Sequence, residues 1–328
     1  MHKIVSVCLI VLVASSCMAQ VPEWRSTVVV RAEYGDREDQ FCYEGVVENH
    51  PPSDQPIPCF YVGDEGIFIV DRYQHNIKVF DLSGDFQRAI SLEWEFPHKG
   101  VLPISGLDIE VTGGVIYLLK MLVGHPHGVM TKFSCYTIDL KTGEQTGMIM
   151  IHNPTLGTTL EGREVGNTVR INEDEEGTLT VYDSIRKMSY PLIRNGTVVP
   201  IQEQEIGVPG MKFGGRRSRY DPEAGSVAII DCPSMKPTCS CKGGPVAIDN
   251  SGNHILTAVN KQKSEKHLIY QIIYDHSCRE VGRIAVLIKS RKGWPAFQAN
   301  DVFRFGQDGE LYEIHVGNDA VYVYKWTP

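Results

Sequence analysis

The cysteines are the side chains whose chemistry is most evident from the sequence. Cys232, Cys239 and Cys241 flank a short segment that also contains Pro233 and Pro237. Thiolates so closely spaced could hold a metal ion such as Zn²⁺, and they could also pair as disulfides. The compartment decides between the two, because an oxidising environment favours the disulfide.

Two further cysteines bracket a proline-rich stretch. Cys42 and Cys59 enclose four prolines between positions 51 and 58, and a disulfide between them would fix a segment with little apolar sequence. Together with Cys135 and Cys278, seven cysteines follow the first 20 residues. Since seven is odd, at least one of them lies outside any intramolecular pair.

Other polar residues suggest contacts rather than catalysis. The sequence has one concentrated basic patch, which contains Arg216, Arg217 and Arg219 and which we interpret as a surface loop. Its guanidinium groups could contact a phosphate, sulfate or carboxylate through paired hydrogen bonds. Asn195 begins a formal N-glycosylation acceptor at a predicted hairpin turn. His125 and His127 are separated by a proline, which favours a surface loop over a metal site.

The amino terminus has the features of a secretory signal. His2 and Lys3 precede an apolar run from Ile4 to Ala14, whose eleven residues are too few to cross the ~30 Å of a bilayer core. Residues 1–19 are then a signal peptide; alternatively, residues 1–16 are a lipoprotein signal and Cys17 is lipidated. Both readings predict an exported protein, secreted or periplasmic, with no transmembrane segment and one domain over residues 20–328.

Composition narrows the class further. The 328 residues carry 32 Lys and Arg against 40 Asp and Glu, a net charge of −8, which gives no support for a nucleic-acid partner. Hydrophobic residues make up 42% of the chain, as is ordinary for a globular protein with a large core. A disordered chain, a collagen-like chain and a long coiled coil are excluded.

Short strands are the elements that must position the candidate residues named above. Between Phe60 and Leu92, four apolar or alternating segments are separated by turns rich in Asp, Asn and Gly, which predicts an antiparallel meander. Similar units follow with strands predicted at Ser105–Ile109, Val115–Leu119, Phe133–Asp139 and Gln145–Ile151; at Thr168–Ile171, Thr178–Tyr182, Met188–Ile193 and Thr197–Gln202; and at Pro245–Ile248, His254–Val259, His267–Tyr274 and Glu280–Leu287. Between Ile206 and Cys241 only Val227–Ile230 is a convincing strand, and we count this degenerate stretch as a fourth unit.

The two ends of the chain predict how the ring closes. Three strands are expected at Val302–Phe305, Leu311–Ile314 and Ala320–Tyr324, and Thr27–Ala32 is an isolated strand near the start. Adding that strand to the last unit would remove an exposed sheet edge. We therefore predict an all-β, six-bladed β-propeller of four-stranded antiparallel blades, closed by an N-terminal strand on the last blade.

The unit from Asp64 to Gly84 also resembles the NHL repeat of six-bladed propellers. Asp64-Glu65-Gly66-Ile67-Phe68-Ile69-Val70-Asp71 and His75-Asn76-Ile77-Lys78-Val79-Phe80-Asp81 carry the resemblance. It implies the architecture and says little about function, because propellers host enzymes, scaffolds and binding proteins alike.

The resemblance also implies where a metal site would be sought. Some propellers similar to this one hold Ca²⁺ or Zn²⁺ in the central channel and act as lactonases, esterases or lyases. The corresponding candidates near predicted first strands are Asp64, Asp108, Asn172, Asp249 and Asp301. The residues themselves favour a turn role for Asp64 and Asp249.

We predict a binding module for an extracellular or periplasmic protein or carbohydrate on one face of the disc, without a cofactor. The alternative is a hydrolase or lyase dependent on Ca²⁺ or Zn²⁺ in the central channel. Converging carboxylate, Asn or His groups in the channel would favour the enzyme.

Overall fold

The computed structural model describes most of the strand-forming sequence. The described residues are 24–42, 58–71, 73–92, 106–122, 132–153, 156, 169–173, 177–183, 186, 188–209, 211–213, 216–221, 226–231, 237–242, 244–248, 254–261, 268–275, 280–287, 303–306, 309–317 and 319–328. Between 208 and 287 the description is mainly of the backbone.

Sheet 1 confirms the meander predicted between Phe60 and Leu92. It consists of β2 (Phe60–Gly63), β3 (Gly66–Asp71), β4 (Asn76–Phe80) and β5 (Phe86–Ser91), each paired antiparallel with the next. The turns use positive φ angles at Gly66, His75 and Gly84. Glycine adopts such angles without steric penalty, whereas a residue with a side chain does so only under constraint.

Sheets 2 and 3 repeat the pattern. Sheet 2 contains β6 (Gly106–Thr112), β7 (Val115–Leu122), β8 (Lys132–Asp139) and β9 (Gln145–Ile151). Sheet 3 contains β10 (Val169–Glu173), β11 (Thr178–Asp183), β12 (Met188–Arg194) and β13 (Thr197–Val198), with β14 (Val208–Pro209) also paired to β12.

The fourth strand predicted for sheet 3 is shorter than expected. Strand β13 ends at Val198, and the short helix α1 (Ile201–Gln204) replaces the remainder of the predicted strand Thr197–Gln202. Pro200 precedes the helix and has no N–H to donate to a neighbouring strand, so the ladder stops before it.

The stretch interpreted as degenerate is a complete sheet, sheet 4. It contains β15 (Met211–Phe213), β16 (Arg216–Asp221), β17 (Ser226–Asp231) and β18 (Pro237–Lys242). The prediction of a single convincing strand was wrong, as was the loop proposed for Arg216, Arg217 and Arg219, which lie in β16 between β15 and β17. Backbone hydrogen bonds hold this strand, so an apolar pattern is not needed to form it.

The last two sheets complete the strand order. Sheet 5 contains β19 (Gly244–Ile248), β20 (His254–Lys261), β21 (Leu268–Asp275) and β22 (Glu280–Leu287). Sheet 6 contains β23 (Phe303–Phe305), β24 (Leu311–Val316), β25 (Ala320–Thr327) and β1 (Arg25–Glu33). Strand β1 pairs with β25 from Arg25 opposite Thr327 to Glu33 opposite Ala320, which confirms the predicted closing strand.

Neighbouring sheets pack face to face into an all-β propeller. One apolar cluster joins sheets 6 and 1, a second joins sheets 1 and 2, and a third joins sheets 2 and 3. Near the axis, β2 contacts both β6 and β23, and β6 contacts β10. We call the disc face at which the first strands begin the start face and the opposite one the turn face.

Candidate functional site

The first strand of sheet 2 carries a polar stripe toward the centre of the molecule. Ile109 and Val111 pack against sheet 1, so the alternation of a strand directs Asp108, Glu110 and Thr112 to its other face. That face is next to β10 of sheet 3.

Asp108 is the best-defined group of this stripe. Its side chain is 1% exposed, and its Oδ2 accepts a hydrogen bond from the backbone N–H of Ile171, at 3.0 Å. Its Oδ1 accepts one from Nη2 of Arg304, at 2.5 Å. Arg304 belongs to sheet 6, and sheet 1 lies between sheets 6 and 2, so the ion pair joins two sheets that are not neighbours.

Arg304 is held by several contacts at once. Its guanidinium lies 5.8 Å from the centre of the Phe60 ring, and Nη1 donates to the carbonyl of Phe303 at 3.2 Å. Its side chain keeps 22% of its surface exposed. The Asp108–Arg304 pair is therefore fixed in orientation yet still reached by solvent.

A second guanidinium lies in the same region. Arg170, on β10, is 5% exposed. Burial lowers the pKa of Arg170, and the positive charge of Arg304 acts in the same direction, whereas the negative charge of Asp108 opposes it. Charges from sheets 2, 3 and 6 thus converge near the axis.

Two further carboxyl groups lie nearer the turn face. Burial raises the pKa of Glu110 well above its usual range, and the charges of Asp108, Glu173 and Glu65 raise it further. Glu173 accepts a hydrogen bond of 2.6 Å from the hydroxyl of Thr112. Glu110 therefore favours the neutral acid, beside the Asp108–Arg304 ion pair. We call Asp108, Glu110, Arg170, Glu173 and Arg304 the axial cluster.

A separate polar group lies at the start face between sheets 1 and 2. Nζ of Lys120 is 4.6 Å from the centre of the Tyr136 ring, and burial lowers the pKa of Lys120 to about 8. Burial also lowers the pKa of His75, helped by the charge of Lys120 and opposed by that of Asp71.

The three metal candidates that the structure describes, Asp64, Asp108 and Asn172, do not form a metal site. Asp64 is an exposed residue of the β2–β3 turn, whereas Asp108 is buried and engaged by Arg304. Asn172 shares a hydrogen bond of 3.1 Å with the hydroxyl of Thr180, and Asp249 and Asp301 lie outside the described residues. Within the part of the chain described, no group of three or more His, Cys, Asp or Glu is arranged to hold a metal ion.

The cysteine predictions have mixed outcomes. Cys42 is half-buried and Cys59 is buried, and no disulfide joins these two described residues. The backbone N–H of Cys42 donates a hydrogen bond of 3.0 Å to Oδ2 of Asp71. Cys239 and Cys241 lie in β18, where the backbone alone is described; Cys17 and Cys232 lie outside the described residues.

Asn195 occupies the turn between β12 and β13, as predicted, with a φ of 49° and an exposed side chain. Its glycosylation stays a prediction. The described residues include no helix long and apolar enough to cross a membrane.

Four members of the axial cluster were missed by sequence reasoning. The alternation of Asp108, Glu110 and Thr112 with apolar residues was visible, and so was a charge between two phenylalanines at Arg304. Both patterns are typical of a strand with one polar face. That these strands converge depends on the closure of the ring, which no local pattern specifies.

Comparison with known proteins does not assign this chain to a family. No protein-family model and no curated protein matches the sequence. One similar solved structure is a DUF4623 family protein from Bacteroides eggerthii, with 14% identity, coverage of 94% of this chain and 78% of that chain, and a TM-score of 0.49. Another is a glucose dehydrogenase, with 11% identity, coverage of 83% and 97%, and a TM-score of 0.48.

A third similar structure is the soluble aldose sugar dehydrogenase of Escherichia coli, with 12% identity, coverage of 93% of this chain and 99% of that chain, and a TM-score of 0.45. The fold assignment rests on the strand pairing of this chain itself. The propeller implied by the resemblance is confirmed, whereas membership of the NHL-repeat family is not shown.

Proposed function

We propose that the protein is an exported, six-bladed propeller that binds a carbohydrate over the axial cluster at the start face. The six sheets serve as the blades, and contacts of β2 with β6 and β23 support a closed ring. Loops on a rigid scaffold are common sites of binding, and Cys59, which precedes β2, and Leu122, which ends β7, lie at this face.

The single observation that carries the proposal is the Asp108–Arg304 pair, which joins sheets 2 and 6 past the intervening sheet 1. A carboxylate has about four acceptor positions and a guanidinium has five N–H donors, so the pair can bind a ligand while it stays intact. Sugar hydroxyls both donate and accept hydrogen bonds. A rigidly held pair that offers both hydrogen-bond donors and acceptors suits a carbohydrate better than an apolar protein surface. For a protein surface, aromatic anchors would be expected.

Calorimetric titration of the mature protein with a panel of neutral and uronic-acid oligosaccharides tests the proposal. Arg304→Lys keeps the charge but removes the planar fork, and we expect at least about tenfold weaker binding of the oligosaccharide that the wild type binds. The matched control is Arg37→Lys, an exposed arginine paired with Asp39, which should leave affinity unchanged.

Thermal melting of both variants separates loss of binding from loss of fold. Equal affinity of Arg304→Lys and wild type would contradict the proposal. A second result would also contradict it. If the wild type binds no oligosaccharide but binds a purified protein, and Arg304→Lys loses that protein, then the ligand is a protein.

A second candidate function is a hydrolase or lyase in the channel, favoured by the protonated Glu110 beside the Asp108–Arg304 ion pair. A buried carboxyl group whose pKa is raised by burial is typical of a general acid. Release of reducing ends from the same oligosaccharides, lost in Glu110→Gln, would support it. A dependence of that activity, or of the melting temperature, on added Ca²⁺ or Zn²⁺ would show that a metal takes part.

Export is proposed from the sequence alone. Cleavage before Gln20 would give an unmodified chain, whereas the lipoprotein alternative would give a chain that begins at a lipidated Cys17. The intact mass of the mature protein distinguishes them, and a retained leader would contradict both.

A further inference from the structure

A buried lysine lies in the gap between sheets 1 and 2, near the start face. Lys120 is on β7, two residues before the strand ends at Leu122, and it pairs directly with Ser134 on β8. Directly paired residues of an antiparallel ladder point to the same side, and Tyr136 lies on that side two residues further along β8. This side faces sheet 1, because Tyr136 packs against the apolar cluster that joins sheets 1 and 2.

The amine of this lysine is enclosed but not sealed off. Lys120 is 8% exposed, and its Nζ lies 4.6 Å from the centre of the ring of Tyr136, a half-buried residue. On the side of sheet 1 is His75, a half-buried residue of the β3–β4 turn, whose pKa the charge of Lys120 helps to lower. The lysine thus lies where the gap reaches the start face, with a small part of its surface still in contact with solvent.

Ser134 places a hydroxyl group beside this amine. Its side chain is fully buried, and within the described part of the chain no group hydrogen-bonds to its Oγ. Buried hydroxyl groups are nearly always hydrogen-bonded, so this Oγ has the capacity to bind an atom of a ligand. Directly paired residues have Cβ atoms about 5 Å apart, so one small ligand can contact both Ser134 and Lys120.

The lysine is a better nucleophile here than the serine. A serine nucleophile requires a hydrogen bond to its base, and the Ser134 Oγ makes none with any described residue. Burial lowers the pKa of Lys120 to about 8, which increases the share of neutral amine near neutral pH. The titratable groups near it on the described part of sheet 1 are His75 and Asp71, whose charge also acts on His75.

We infer that Lys120 is a covalent binding site for a small aldehyde, which it holds as an imine. The lone pair of Nζ attacks the carbonyl carbon, and the carbonyl oxygen takes up the two amine protons and leaves as water. A C=N bond thus replaces the C=O bond, and no oxidant or reductant is needed. The hydroxyl of Ser134 donates a hydrogen bond to the carbonyl oxygen during the attack, and the ring face of Tyr136 stabilises the positive charge of the protonated imine.

This site is independent of the proposed carbohydrate site. Asp108 and Glu110 lie on the face of sheet 2 that is turned to sheet 3, whereas Lys120 lies on the face turned to sheet 1. The first site binds through hydrogen bonds and the second through a covalent bond, so each has its own readout. Failure of one proposal therefore leaves the other standing.

Reductive trapping with glycolaldehyde and cyanoborohydride, followed by peptide mass mapping, tests the inference on the folded mature protein. At pH values of about 7 we expect Lys120 to be modified at least about tenfold faster than the exposed Lys141 of the same molecules, because more of its amine is neutral. The rate at Lys120 should be half-maximal at a pH of about 8. Unfolding in urea should abolish the difference between the two lysines.

A serine variant tests the second group of the site. Ser134→Ala should slow the modification of Lys120 by about tenfold and leave that of Lys141 unchanged, because it removes one hydrogen bond to the reacting oxygen. Ser83→Ala, at an exposed turn position, is the matched control and should react as the wild type does. Thermal melting shows whether each variant is folded, and an unchanged rate in folded Ser134→Ala would overturn the role of Ser134.

The comparison within the wild type keeps the inference testable even where a variant does not fold. Modification of Lys120 no faster than that of Lys141 in the folded protein would overturn it, as would a difference that persists in urea. Arg304→Lys should leave the modification of Lys120 unchanged. A loss in that variant would contradict the separation of the two sites.

Discussion

At the scale of single residues, Glu313 is a buried acid whose protonation is coupled to folding. It is 8% exposed, and burial raises its pKa to about 7, although the hydrogen bond from Trp326 opposes the shift. An unfolded glutamate titrates at 4.5. Between these two values the folded protein keeps a proton that the unfolded chain has released, so stability falls as pH rises through this interval.

We therefore expect the free energy of unfolding to decrease by about 3 kcal/mol between pH values of roughly 4.5 and 7 on account of this group. Glu313→Gln, which stays neutral, should remove most of that decrease. Urea unfolding across this range measures it. Glu144→Gln, at an exposed position, should keep the wild-type slope; a Glu313→Gln slope equal to the wild-type slope would show that Glu313 does not titrate there.

The axial cluster shows how far residue chemistry can be read from sequence. Asp108 was predicted as a metal candidate, and its partner Arg304 follows 196 positions later in the chain. The sequence shows that both residues are flanked by apolar neighbours on strands. It does not show that the two side chains meet past sheet 1, because that depends on how the sheets are arranged in the whole molecule.

At the scale of elements, turns were predicted most accurately where their chemistry is local. The turn at Gly84 between β4 and β5 is held by the carboxylate of Asp81, which accepts the backbone N–H groups of Ser83 and Asp85. Sheet 4 was predicted as a unit but with a single convincing strand, because β16 contains three arginines and gains its order from two neighbouring strands. Backbone pairing between strands of polar composition leaves little trace in a local pattern.

Gly84 also links the turn to the closing strand. Its φ is 93°, and a Cβ at this position would lie 1.6 Å from the carbonyl oxygen of Val29 on β1. Gly84→Ala must therefore displace backbone on two sheets, and we expect it to lower the free energy of unfolding by about 3 kcal/mol or more.

Gly113 provides the matched control. Its φ of 60° is also positive, but a Cβ there would meet nothing within 4 Å. Gly113→Ala should lower stability by only about 1 kcal/mol, from backbone strain alone. Denaturant unfolding of both variants measures the difference. Equal losses of unfolding free energy would show that the backbone at Val29 moves aside at little cost.

At the scale of the whole molecule, stability depends on the closure of the ring by β1. Val30 of this strand is fully buried between sheets 6 and 1, whereas Val28, two positions earlier, is 49% exposed. Val30→Asp would place a carboxylate in an apolar cluster without a partner, which costs several kcal/mol. The folded state can avoid that cost by releasing β1 from β25.

We expect Val30→Asp to open the ring and expose the edge of β25, which would then pair with other molecules. Size-exclusion chromatography with light scattering should show concentration-dependent association, and hydrogen exchange should show loss of protection along β25. Val28→Asp adds the same charge to the same strand at an exposed position and should stay monodisperse and protected, provided that the wild type is so. A Val30→Asp protein as protected along β25 as the wild type would show that the other sheets hold the ring without its closing strand.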